Sequence, residues 1–258
     1  IRGNITYNKN TILERDEENN VYPYQYEKGY RIGQQRGLID LGLFKDYNDI
    51  RNSPKQVWGK VQPGDIKYKD INGDGVIDNG DRVAIGATNI PNLIYGLGAS
   101  FSWKGFDFNF HFQGAGKYTF RLSGKTVYAF SEGRWGNILK DMTNNRWISA
   151  DISGSKETEN INATYPRLSY GTNHNNQQPS TFWLRDGRYL RLKNIDIGYS
   201  LPKQLLGSLH LENVRFYISG QNLITWSSFK LWDPELGSSE GEAYPITKSV
   251  TAGVQISL

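Results

Sequence analysis

The feature that most constrains the fold is the run Phe106-Asp-Phe-Asn-Phe-His-Phe-Gln113, in which apolar and polar side chains alternate without a break. A period of two places Phe106, Phe108, Phe110 and Phe112 on one face of a strand and Asp107, Asn109, His111 and Gln113 on the other. Just before it, Tyr95, Leu97, Ala99, Phe101 and Trp103 alternate with Gly96, Gly98, Ser100 and Ser102, and Lys104-Gly105 joins the two runs at hairpin spacing. The pattern returns later. Val214, Phe216 and Ile218 alternate with Arg215, Tyr217, Ser219 and Gln221, and Val250, Ala252, Val254, Ile256 and Leu258 with Thr251, Gly253, Gln255 and Ser257. A strand through 182–199 changes phase: Leu190 and Leu192 share one parity, Ile195 and Ile197 the other. A β-bulge near Lys193-Asn194 reconciles them. With a short run at 3–8, six strands are predicted and the fold class is all-β.

Composition agrees. Apolar residues are only 37% of the 258, whereas aromatics reach 13% and there are 28 glycines, a mixture that suits pleated surfaces and turns. The 30 basic and 26 acidic residues leave a net charge of +4 spread along the chain, which argues against a nucleic-acid groove. The absence of cysteine excludes disulfides, thiolate metal sites and cysteine nucleophiles. No stretch approaches the roughly 18 apolar residues of a spanning helix. A membrane barrel needs only about 9–11 alternating residues per strand, so that absence excludes no barrel. The chain opens at Ile1 with neither an initiator Met nor a signal pattern, as a processed or truncated product would.

The connections alternate in length. Lys104-Gly105 is tight and 201–211 is short, whereas about 80 residues separate the first two strands, nearly 70 separate the third from the fourth, and roughly 20 the last two. That alternation is expected of an outer-membrane barrel with short periplasmic turns and long outer loops. It makes 9–90 and 114–181 extracellular loops, sends the strands near 1–8, 106–113 and 212–225 outward, and places the C-terminus in the periplasm. Trp103 and Phe106 beside the tight turn, Tyr199 by the short one, and Trp183 and Trp226 at the opposite end fit two aromatic girdles. Strand periodicity alone leaves a soluble sandwich with a core of aromatics open as well.

One local motif is sharp. The run Asp70-Ile-Asn-Gly-Asp-Gly-Val-Ile-Asp-Asn-Gly-Asp81 puts Asp70, Asn72, Asp74, Asp78 and Asp81 at loop positions 1, 3, 5, 9 and 12, with Gly75 at 6 and the Val76 carbonyl at 7. This is calcium-loop spacing, with Asp81 shorter in reach than the usual Glu, and the expected role of Ca2+ is structural. An Asx-rich turn in which these side chains bond their own backbone is the plainer reading. His111, His174 and His210 are isolated, and no catalytic fingerprint appears. Trp135, Trp147, Trp226 and Trp232, with Tyr118, Tyr128 and Tyr244, fall in or beside the outer loops, as ligand platforms or, more simply, as small cores that order long loops.

Several segments together resemble the SusC/RagA family of TonB-dependent outer-membrane transporters. They are Pro63-Gly-Asp-Ile-Lys-Tyr-Lys-Asp-Ile-Asn-Gly-Asp-Gly-Val-Ile-Asp78 continuing to Asp81-Arg82 and Ile85-Gly86, then Tyr95-Gly96, Lys104-Gly-Phe-Asp107 and Phe112-Gln-Gly114. Tyr189-Leu-Arg-Leu-Lys-Asn-Ile-Asp-Ile-Gly-Tyr-Ser-Leu-Pro202, Ser219-Gly-Gln-Asn-Leu-Ile-Thr225, Asp233-Pro234-Glu235 and Tyr244-Pro245 follow in the same order. The resemblance implies that residues 1–258 are the C-terminal part of such a receptor, the last six or so strands of a transmembrane antiparallel β-barrel of about 22 strands. The plug and its TonB-contacting segment are absent from these residues, and the chain ends in Leu258 where such proteins usually end in an aromatic. The implied partners are a SusD-like surface lipoprotein, the remaining barrel and plug, TonB, outer-membrane lipid, and an oligosaccharide or peptide cargo. No nucleic acid and no enzymatic step is implied. Asp107, Asn109, His111, Gln113, Arg215, Tyr217, Ser219 and Gln221 then face the lumen. The competing reading is a secreted, calcium-stabilised β-sandwich that binds carbohydrate. A glycoside hydrolase would need a carboxylate pair that spacing does not single out.

Overall fold

The computed structural model describes residues 1–131, 136–207 and 211–258. Its main element is one six-stranded antiparallel sheet: β1 (Arg2–Tyr7), β2 (Leu93–Trp103), β3 (Phe106–Gly116), β4 (Tyr189–Ser200), β5 (Asn213–Ser227) and β6 (Ser249–Ser257), with spatial order following chain order. This is an up-and-down meander. Trp103 pairs with Phe106 across the β2–β3 turn. Lys104 and Gly105 both have positive φ, 48° and 87°, as a two-residue hairpin turn of matching twist demands. The predicted bulge is present. The register of β4 against both β3 and β5 shifts between Leu192 and Asn194.

Cross-strand register puts the apolar set on a single face. Phe108 lies opposite Phe101 and Ile197, Ile197 opposite Ile218, and Ile218 opposite Ala252. No described sheet packs on that face. Phe101 is 54% exposed and Val254 53%, and Trp103, Phe106, Ile218 and Val250 are exposed with them. A sandwich would bury these residues, so the sandwich reading is corrected here: the sheet is one layer with a continuous apolar surface. Among the described residues no helix is long and apolar enough to cross a membrane.

The buried core lies elsewhere, in the long connections. Leu38, Ile66, Tyr68, Ile77, Tyr118, Phe120, Leu122, Trp183 and Phe229 form one cluster drawn from three of them. These segments are not structureless. Gln34–Gly37 pairs with Val83–Thr88, Asp40–Leu43 with Ile66–Tyr68, Lys55–Gln56 with Val76–Ile77, and Thr119–Arg121 with Leu184–Asp186. Trp183 is corrected accordingly. It is buried in this loop core, with its indole Nε1 donating to the Asn176 carbonyl at 2.6 Å, and does not belong to a girdle. Trp226 does sit exposed on the apolar face, and Tyr199 packs on Phe106 at 4.6 Å between ring centroids by the tight turn.

Candidate functional site

The polar face of the sheet is built by the same alternation that exposes the phenylalanines. Asp107 lies opposite Ser102 and Gly198, Asn109 opposite Asp196, His111 opposite Asn194, and Gln113 opposite Arg191. From β5, Arg215 reaches across β4 to β3. Its Nε donates to Asp107 at 2.9 Å, and its Nη2 also bonds Asp107 and Asp196. The crossing depends on Gly198, where an added Cβ would fall 2.4 Å from Arg215 Nε. One arginine thus ties three consecutive strands, and its single positive charge against two carboxylates leaves the cluster negative. Its guanidinium also stands 5.3 Å from the centroid of the Tyr217 ring, and Ser219 and Gln221 continue the same face. Of the predicted face residues, the structure joins Asp107 and Arg215 directly. Asn109, His111 and Gln113 line up beside them without bonding one another.

Above this face the connections form a dense polar assembly. Asp65 is 0% exposed, and it accepts from Arg167 Nη2 at 3.2 Å, Asn173 Nδ2 at 3.0 Å, Asn176 Nδ2 at 2.9 Å and the Gln62 amide at 2.8 Å. Gln56 donates to the Ile66 carbonyl and to Asn175 and accepts from the Tyr68 amide, so a second buried bridge lies beside the first. These bonds join residues about 100 positions apart, fastening the 9–90 connection to the 114–181 connection. Burial pushes the phenol of Tyr68 well above its ordinary pKa, so it serves as a neutral donor to the Asn175 carbonyl. At the top of β4, Arg191 is 1% exposed and pairs with Asp233 at 2.5 Å, which holds the 228–248 connection down over the sheet.

The aromatic residues singled out in the loops resolve into two kinds. Tyr118 and Trp147 are buried, Tyr128 packs edge-on to Trp183 at 5.4 Å, and Trp232 packs on Phe229 at 5.1 Å. These are loop cores rather than platforms. Tyr244 is exposed, and Trp135 and His210 lie outside the described residues.

The 70–81 loop is a chain of Asx turns. Asp70 accepts from the amides of Gly73 and Gly75 at 2.6 and 2.9 Å, Asn72 from that of Asp74, Asp74 from that of Val76, and Asp78 from that of Gly80. Asp81 is fully buried, and its two oxygens take the Ile71 and Asp78 amides at 2.7 and 2.9 Å. Among the described residues no three carboxylate or imidazole side chains converge on a point that could hold a metal. Each carboxylate oxygen that accepts one N–H keeps a second lone pair, so the oxygens of Asp70, Asn72, Asp74 and Asp78 and the Val76 carbonyl stay chemically able to ligate. Tyr22 and Tyr24, stacked at 5.3 Å, strap the loop: Asn72 donates to the Tyr22 hydroxyl at 2.9 Å, and Tyr24 donates to the Gly80 carbonyl at 2.7 Å. Partial burial, then the charges of Tyr22, Asp81, Asp74 and Asp70, raise the Tyr24 pKa.

Asp65, Arg191 and Asp233 fall within the segments that carry the family resemblance, but nothing in their spacing showed that Asp65 and the Arg191–Asp233 pair would be buried polar anchors. Comparison with known proteins then places the chain. No family model matches. The chain is 30% identical to TonB-dependent receptor P26 of Formosa agariphila over 85% of its own length and 22% of that receptor. It is 25% identical to TonB-dependent receptor SusC of Bacteroides thetaiotaomicron over 76% of its length and 18% of that protein. It therefore spans about a fifth of the curated relatives it matches. Among solved structures it superposes on the RagAB peptide importer in the open-open state with a TM-score of 0.66 at 23% identity, covering 99% of this chain and 26% of the other. The closed-closed state gives 0.60 at 25% identity, covering 90% and 23%.

Proposed function

Because this chain belongs to the SusC/RagA family of TonB-dependent receptors, we propose that its six strands form part of the wall of an outer-membrane barrel. The whole transporter would import a nutrient, an oligosaccharide or a peptide, and the chain's role is transport rather than covalent catalysis. The observation that carries this reading is the division of the sheet. One face is apolar and exposed across β1–β6, the other is polar, and the packed core sits in the connections at one end. Lipid meets the first face, cargo passes the second, and the outer connections capture it. Asp107, Asn109, His111, Gln113, Arg215, Tyr217, Ser219 and Gln221 then line the lumen.

An open sheet edge in lipid leaves unpaired backbone groups that cost several kcal/mol each. Six strands are also fewer than the roughly eight of the smallest barrels. β1 and β6 each present one unpaired edge, so further strands of the same transporter complete the wall. A plug segment of that transporter couples it to TonB, and a SusD-like lipoprotein covers the loops as a lid. The likeness to the RagAB peptide importer supports peptide cargo, and the likeness to SusC supports the wider receptor class. Deleting the gene of the full transporter should abolish uptake of its growth substrate, and pulling the tagged transporter from outer membranes in mild detergent should bring a surface lipoprotein with it. Unchanged uptake together with a transporter recovered alone would refute the proposal.

The 70–81 loop is proposed to take one Ca2+ in a structural role, through Asp70, Asn72, Asp74, Val76, Asp78 and Asp81. The spacing supports it. Because Asp81 is already engaged by two amides, binding is expected to be weak, in the millimolar range of extracellular sites. Calorimetry on the full transporter checks this: heat of binding lost on Asp70→Ala is expected, and no heat at millimolar Ca2+ leaves the Asx turns as the whole account.

A further inference from the structure

Beside the small strand Leu184–Asp186, and next to the segment that follows β5, lies a pocket of about 310 Å³ lined by Asp141, Tyr165, Arg185, Asp186, Phe229 and Lys230, among others. Its charges are unevenly satisfied. Both acids are engaged: Asp141 accepts from the Tyr165 hydroxyl at 2.7 Å and from Asn145 Nδ2 at 2.9 Å, and Asp186 is held by Arg188 at 2.8 Å. Neither cation is. Among the described residues no carboxylate lies within 4.0 Å of Arg185 or Lys230.

Arg185 is also held in place. Its Nη1 donates to the carbonyls of Phe182 and Leu184, both at 2.8 Å, which fixes the guanidinium while it stands beside the Tyr165 hydroxyl. Burial, then the bond to Asp141, push the Tyr165 phenol up to about 12, so it stays protonated and keeps its proton directed at Asp141. A partly buried guanidinium without a counter-charge is costly, and a planar fork held in place is the geometry that carboxylates bind. Phe229, mostly packed in the loop core, and the half-buried Leu231 also line the pocket.

We propose that Arg185 and Lys230 form a carboxylate-binding subsite for cargo, with the apolar part of the ligand resting on Phe229 and Leu231. The proposal rests on the import reading and narrows the cargo to molecules bearing a carboxylate, from a peptide or from a uronic acid. The test uses the full-length transporter in detergent and ligand-observed NMR with N-acetylphenylalanine, its amide, glucuronate and glucose at millimolar concentration. A carboxylate probe should bind, its uncharged counterpart should bind at least about tenfold more weakly, and Arg185→Gln or Lys230→Met should remove that preference, as loss of a charge-assisted hydrogen bond does. Preference for N-acetylphenylalanine points to a peptide source, and preference for glucuronate to an acidic glycan. Lys230 is exposed, so its variant reports on charge without endangering the fold. Equal binding of acid and amide, failure of both carboxylates to bind, or retained preference in both variants overturns the subsite. Uptake of the growth substrate separates the two levels: if gene deletion leaves uptake intact the import reading falls, whereas deletion-sensitive uptake with probes that ignore charge sinks the subsite alone.

Discussion

Asp65→Ala should release the outer connections from one another, at a cost on the order of 3–5 kcal/mol, the range for removing one partner of a buried ion pair. Asp65 is wholly buried, and alanine would leave Arg167, Asn173 and Asn176 with donors facing no acceptor. The damage is local. The sheet makes none of these bonds, so the barrel should still assemble while the 9–90 and 114–181 connections come apart. In the full transporter this reads as faster proteolytic cleavage in both connections and faster exchange of the Ile66 amide, which donates to Asn176 Oδ1 at 2.9 Å. Asp65→Asn should be milder, because it keeps an acceptor oxygen, though it removes the charge that Arg167 pairs with. Unchanged protection in the alanine variant would mean that the apolar cluster around Leu38 and Tyr68 holds the loops unaided.

The parts of the molecule that repeat were legible in the sequence. Phe106–Gln113 alternates so strictly that the strand, its two faces and the hairpin at Lys104-Gly105 follow from period alone. The parity change between Leu192 and Ile195 located the bulge, because a slip of one residue would otherwise turn the apolar set to the wrong face. The loop assembly was not legible. Its strands are two to six residues long, too short for a period to show, and several are set by partners more than 40 residues away. His174-Asn-Asn176 reads as an ordinary polar turn until the fold brings it beneath Asp65. Trp183 was misplaced for a related reason. Its position near a strand end suits a girdle, and only the tertiary bond from its indole to Asn176 shows it to be core. The 70–81 loop was legible in spacing, while the engagement of Asp81 by two backbone amides could be seen only in three dimensions.

The second large effect comes from the face assignment. Phe108→Lys or Val254→Lys should cost about 2–4 kcal/mol if these side chains meet hydrocarbon near the bilayer midplane. Phe108 is the third residue of β3 and lies opposite Phe101 and Ile197, and Val254 is the sixth of β6 and lies directly opposite Phe216, so the added ammonium has no polar neighbour on that face. Thr251→Lys is the matched control: it is in the same strand as Val254 but turned to the polar face beside Ser219. The most direct measurement is therefore the folded fraction of the full transporter in lipid vesicles, read by resistance to unheated SDS, for Val254→Lys against Thr251→Lys. The wall reading predicts that the first loses most of its folded barrel while the second assembles as the parent does. Equal tolerance of both, or a greater loss in Thr251→Lys, would contradict the assignment of the apolar face to lipid.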